Sequence, residues 1–81
     1  MITEVLEKRA TNARDAELEY DGQWFLLRRD PEDGIEYVVA YGDGSVEDRE
    51  ALHEIRHKRF HGKAFLIKGY YPKVGEILGI Y

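Results

Sequence analysis

The sequence predicts an α+β fold in the order αβββαββ, with two helices and a mixed, mostly antiparallel sheet of four or five strands. Three observations carry that class. One stretch, Ser45 to Gly62, has helical periodicity and a stop signal at each end. Several short segments alternate apolar and polar residues between Gly, Asp and Pro clusters. The links between these pieces are short, so hairpins dominate and antiparallel pairing follows. Eighty-one residues make a single domain, 1–81. A domain near this size buries only ~60% of its unfolded surface, so a partner or a homodimer interface would add stability.

Ser45 is a good N-cap, and Glu47, Asp48 and Glu50 place negative charge at the positive end of the helix. The helix therefore starts near Val46. Arg56, His57, Lys58, Arg59 and His61 crowd the other end, and Gly62 suits a left-handed close, so the stop falls near Phe60. At ~100° per residue, Ala51, Leu52 and Ile55 share an apolar face, while His53, His57 and His61 lie opposite with Glu50 and Glu54.

Upstream, Ile2, Val5, Leu6, Ala10, Ala13 and Ala16 repeat at helical spacing, which predicts a first helix over residues 3 to 16 with Thr3 as its cap. Leu18 and Tyr20 then alternate with acids, and Asp21-Gly22 matches a two-residue hairpin turn, so 17–20 reads as a strand paired with 23–29. Trp24, Phe25, Leu26 and Leu27 put apolar groups on both faces of that second strand, which suits a central position. Asp30-Pro31-Glu32-Asp33-Gly34 is a loop. Ile35 to Tyr41 is a third strand, with Ile35, Tyr37, Val39 and Tyr41 on one side and Glu36, Val38 and Ala40 on the other. A fourth runs from Lys63 to Gly69, parallel to the third through a right-handed crossover. Tyr71-Pro72-Lys73 turns into a last strand, Glu76 to Tyr81.

Charge is unevenly spread. Residues 1–55 hold 15 acidic and 6 basic side chains, a net of −9, whereas residues 56–81 hold 6 basic ones against Glu76 alone, a net of +5. Such asymmetry bears on partners rather than on fold. There is no cysteine, which excludes disulfides, thiolate metal sites and cysteine nucleophiles. No apolar run has the length of a signal peptide core or of a membrane span, which predicts a soluble, cytoplasmic protein without a membrane partner.

His53-Glu54-Ile55-Arg56-His57 matches H-E-x-x-H, the pattern in which two histidines of one helix hold zinc and the glutamate activates water. Four features oppose a hydrolase. The histidine face points away from the apolar face. His61 as third ligand lies eight residues from His53, ~12 Å along a straight helix. The chain is short for a substrate groove behind that helix, and it has no further histidine. His53, His57 and His61 therefore stand as weak metal candidates, and neither a metal nor a cofactor is expected. Gly42-Asp43-Gly44-Ser45 precedes a helix as phosphate loops do, but Asp43, Glu47 and Asp48 would repel an anion. Ser45, the sole serine, is engaged in capping, so a serine nucleophile has no support.

These exclusions leave recognition. The expectation is a small non-enzymatic binding module, an inhibitor or adaptor, that docks onto another protein through Trp24, Tyr37, Tyr41 and Tyr70 or through its charged helix, with a homodimer as one arrangement. Amphipathic aromatics are enriched where proteins meet. The alternative is a nucleic-acid-contacting accessory protein whose basic segment, Arg56, Lys58, Arg59 and Lys63, anchors phosphates. The zinc hydrolase ranks third.

Overall fold

The computed structural model describes residues 1–72. The α+β class with two helices and a four-stranded sheet holds. In chain order the elements are β1 (Thr3–Glu4), α1 (Ala13–Glu19), β2 (Trp24–Arg29), β3 (Glu36–Tyr41), α2 (Val46–Phe60) and β4 (Ala64–Lys68). The expected strand from Glu76 to Tyr81 lies outside the described residues.

The sheet order is β1-β3-β2-β4, and every pairing of these strands is antiparallel. The parallel contribution is confined to an isolated bridge, Asp21 to Gly69. Because β3 and β4 both run against β2, they point the same way, as expected of strands joined by a helix. They are not neighbours, however: β2 sits between them and supplies hydrogen bonds to both. The central position expected of Trp24–Leu27 follows from the same order.

Alternation along β2 splits the core into two clusters, one under each helix. Phe25 and Leu27 join Val38 and Ala16 of α1. Leu26 joins Ala40, Ala64 and Leu52 of α2. Phe25, Leu26, Leu27 and Leu52 are fully buried, each worth ~1.5–3 kcal/mol relative to an exposed side chain. The helices thus cover opposite faces. Their coverage is unequal, since α1 has 7 residues and α2 has 15.

The helix α2 has the bounds its sequence implies. Ser45 Oγ accepts from the Asp48 N–H at 3.2 Å, and His61, left-handed at φ 51, closes the helix ahead of Gly62 at φ 80. Asp48 is only 5% exposed, and its carboxylate does more than favour the helix dipole. It accepts from the Asp43 N–H at 2.8 Å and from the Met1 amino group at 2.7 Å to each oxygen, which ties the first residue to the helix start. That contact raises the pKa of the Met1 amine.

The amino-terminal third departs from expectation. The helix predicted over 3–16 begins only at Ala13, where Asn12 Oδ1 accepts from the Asp15 N–H at 2.8 Å. Asn is a stronger cap than Thr3. Thr3 and Val5 are β-branched, and the open edge of β3 offers hydrogen bonds that local helix propensity does not outweigh. Of the strand expected at 17–20, residues 17–19 are instead the second half of α1 and Tyr20 is its C-cap. Ala13, Ala16 and Tyr20 share a helical face, and the Leu18/Tyr20 alternation was compatible with either period. Asp21-Gly22 therefore follows a helix instead of closing a hairpin, with the Gln23 N–H bonded to the Tyr20 carbonyl at 2.9 Å and Gly22 at φ 73.

The alternation expected along β3 is also broken. Leu26 opposes Ala40 but Leu27 opposes Val38, so Val39 is an extra residue, a β-bulge. It reverses the facing of everything before it. Val38 and Tyr41 therefore share the α1 side, while Val39 and Ala40 share the α2 side.

Candidate functional site

The bulge and the short α1 together shape a groove. The Val5 N–H bonds to the Val39 carbonyl at 3.0 Å, the chain then leaves the β3 edge, and it returns where the Thr11 N–H bonds to the Glu36 carbonyl at 2.8 Å. Residues 6–10 form an arch between these points. Lys8 anchors it, donating to Asp30 at 2.7 Å and Asp33 at 2.8 Å in the β2–β3 turn. Both carboxyls are held below the usual aspartate range by these bonds, and the Lys8 ammonium is pushed up by them.

Between the arch, the end of α1 and the α1 face of the sheet lies a cavity of about 330 Å³. Its apolar lining is Val5, Tyr20, Val38 and Tyr41, and its rim carries Glu4, Glu7, Arg9 and Glu19. The Tyr20 and Tyr41 rings are 4.9 Å apart at 40°, and Tyr20 also meets Phe25 at 5.4 Å. Burial, followed by the nearby Glu19 charge, raises the Tyr20 hydroxyl pKa, so the phenol stays neutral. Arg9 donates to both Glu19 oxygens at 2.8 Å, and Glu4 pairs with Arg59 of α2. Glu7 pairs with no cation among the described residues. Leu6, between the lining residues Val5 and Glu7, is 95% exposed.

The aromatics singled out from sequence do not converge. Tyr41 lines this groove. Trp24 is on the α2 side, with the Arg49 guanidinium 5.4 Å and the Lys68 ammonium 5.8 Å from its ring centroid. Tyr37 is half-buried near the arch, under Lys8 at 5.3 Å and accepting from Arg28 at 3.2 Å. Tyr70 is exposed and borders a separate concavity of about 350 Å³ with Tyr71, Pro72, Leu18, Arg14 and Glu17.

The basic segment is largely engaged within the fold. Arg56 donates through Nε to the Ala64 carbonyl, Lys58 pairs with Glu54 one turn away, and Arg59 pairs with Glu4. Of the four cations only Lys63 has no ion pair or side-chain hydrogen bond among the described residues. The histidines His53, His57 and His61 are exposed, and no three His, Cys, Asp or Glu side chains converge on a metal-sized site among the described residues.

Sequence reasoning missed most of the groove. The sequence pattern places Val5, Leu6 and Glu7 in a helix and Tyr20 in a strand. The available signal was Asn12 three residues before Asp15, a helix start that would have freed residues 3–11. No helix among the described residues is long and apolar enough to cross a membrane. Comparison of the chain with family models, curated proteins and solved structures finds no match, which leaves the geometry of the groove to carry the functional argument.

Proposed function

We propose that this protein is a small non-enzymatic binding module of the inhibitor or adaptor kind, which receives an extended segment of another protein in the groove between the arch and α1. One observation carries the reading: a concavity of about 330 Å³ floored by the Tyr20/Tyr41 pair lies beside a fully presented apolar side chain, Leu6. Pockets that bind ligands begin at ~300 Å³ and combine an apolar floor with a few polar groups. Tyrosine supplies rigid contact area at small entropic cost, and hot spots are enriched in it. A lone exposed Leu is ordinary on a monomer, so the concavity beside it carries the weight.

The test is selection of peptides from a random display library against the whole protein, followed by amide chemical-shift mapping of the selected peptides. Support requires binders whose shifts centre on Val5, Leu6, Tyr20 and Tyr41 and whose affinity falls on Tyr41→Ala. Failure to recover any binder, or shifts centred on the outer side of α2, would overturn the reading.

A further inference from the structure

Resting on that reading, we propose that the groove is selective for a cationic segment, an extended peptide whose lysine or arginine seats over the Tyr20/Tyr41 pair and faces Glu7 and Glu19. The rim carries more acid than base. Glu4, Glu7 and Glu19 outnumber Arg9, and all four lie in the part of the chain that is strongly acidic. Arg9 engages both oxygens of Glu19 and Arg59 pairs with Glu4, whereas Glu7 makes no ion pair among the described residues and shares only a longer-range attraction with Arg9.

The independent observation is that several exposed or half-buried rings carry cations, although Phe25, Phe65 and Tyr71 carry none among the described residues. Trp24, Tyr37 and Phe60 each have one or two of the chain's own cations over the ring, at 5.2 to 5.8 Å. None of the described cations sits over Tyr20 or Tyr41, although Arg9 lines the same groove with its guanidinium turned to Glu19. The ring faces and the carboxylate of Glu7 therefore offer a cationic occupant attraction beyond what Arg9, held by Glu19, already takes up. A cation over tyrosine is attracted by the ring quadrupole, and the attraction grows where water is excluded. The apolar floor of Val5, Val38, Tyr20 and Tyr41 favours a peptide over a small polycation, because a peptide brings apolar side chains to bury against it.

The experiment uses the peptides recovered above. Groove-mapped binders should be enriched in Lys and Arg over the starting library. Their affinity, measured by fluorescence anisotropy with labelled peptide, should fall about tenfold on Glu7→Lys, while Glu50→Lys on the outer side of α2 should leave it unchanged. Raising salt from low to high should weaken wild-type binding and have less effect on Glu7→Lys. Glu7 is exposed and unpaired, so the variant should keep the wild-type melting temperature, and circular dichroism verifies this. Groove-mapped binders with no Lys or Arg excess, or with affinity indifferent to Glu7→Lys, would overturn this inference and leave the binding module standing. The absence of any groove-mapped binder would remove both. Spermine that shifts the groove resonances with affinity equal to the peptides would overturn the assignment of a protein segment.

Discussion

Deleting one of the two adjacent valines, Val38 or Val39, produces the same chain and tests the bulge directly. Most single-residue deletions inside a strand reverse the facing of one half of it and expel a core set to solvent. Here the opposite should happen, because Val39 is the residue in excess. Without it, Tyr41, Ala40, Val38 and Tyr37 alternate regularly against Phe25, Leu26, Leu27 and Arg28, and each keeps its present side. Two losses remain. Val39 is a half-buried side chain packed on the α2 cluster, worth roughly 1 kcal/mol, about half of a full valine burial. The bond from the Val5 N–H to the Val39 carbonyl contributes ~1 kcal/mol net. A loss of ~2 kcal/mol in a domain of this size lowers the melting temperature by roughly 8–16 °C. Circular dichroism should thus show a cooperative but earlier transition, and hydrogen exchange should show the Val5 amide unprotected as the arch lifts. Deletion of Leu66 in the unbulged β4 is the control, and it should abolish folding by reversing Ala64 and Phe65 against β2. A valine-deleted chain that is unfolded at 25 °C, or a Leu66-deleted chain that folds, would refute the register argument.

Three further outcomes follow from contacts described above. Ser45→Ala should cost ~1 kcal/mol in denaturant unfolding through loss of the α2 cap, whereas His57→Ala should stay within ~0.5 kcal/mol because that side chain faces water. A large loss at His57 would mean that the faces of α2 are wrongly assigned. Gly69→Ala should cost ~3 kcal/mol or more, since a Cβ there would stand 1.8 Å from the Tyr20 carbonyl oxygen, a backbone atom that cannot swing aside. An unchanged melting temperature would exclude that approach. Lys8→Gln should lower the melting temperature slightly at pH 7, and the gap to wild type should close in acid. Asp30 and Asp33 have folded pKa values below the unfolded ~3.9, so their contribution is present above that value and is lost as pH falls through the folded values. A gap that persists undiminished to pH ~2 would show that Lys8 acts by packing alone.

The parts of the fold that were legible in the sequence are those where local signals and tertiary contacts agree. The helix from Val46 to Phe60 had its Ser45 cap and its basic close, and Phe25, Leu26 and Leu27 announced a strand with two buried faces. The arch was illegible because Ile2, Val5 and Leu6 fit a helical period while their structure is decided by the distant edge of β3. The groove was illegible for a second reason. Its floor unites Val38 with Tyr41, which strict alternation places on opposite sides, and only the pairing partners on β2 reveal that Val39 is surplus. Of the aromatics chosen for composition and expected exposure, Tyr41 reached the groove, while Trp24 and Tyr37 are occupied by the chain's own cations.

The position of β2 between β3 and β4 also dictates an order of events during synthesis. The β2–β3 hairpin closes through the short turn at 30–34, and both strands are complete once residue 41 has emerged. The other margin of β2 must then wait for β4, because Phe25 finds Ile67 and Leu27 finds Phe65 only after the whole of α2 has been made. At ~5–20 residues per second, this interval lasts one to several seconds. During it, a nascent hairpin carries an unpaired apolar margin, Phe25 to Leu27, of the kind that templates strand addition from other chains. The net negative charge of residues 1–41, already translated by then, opposes association of such hairpins by mutual repulsion until β4 arrives and the margin is closed.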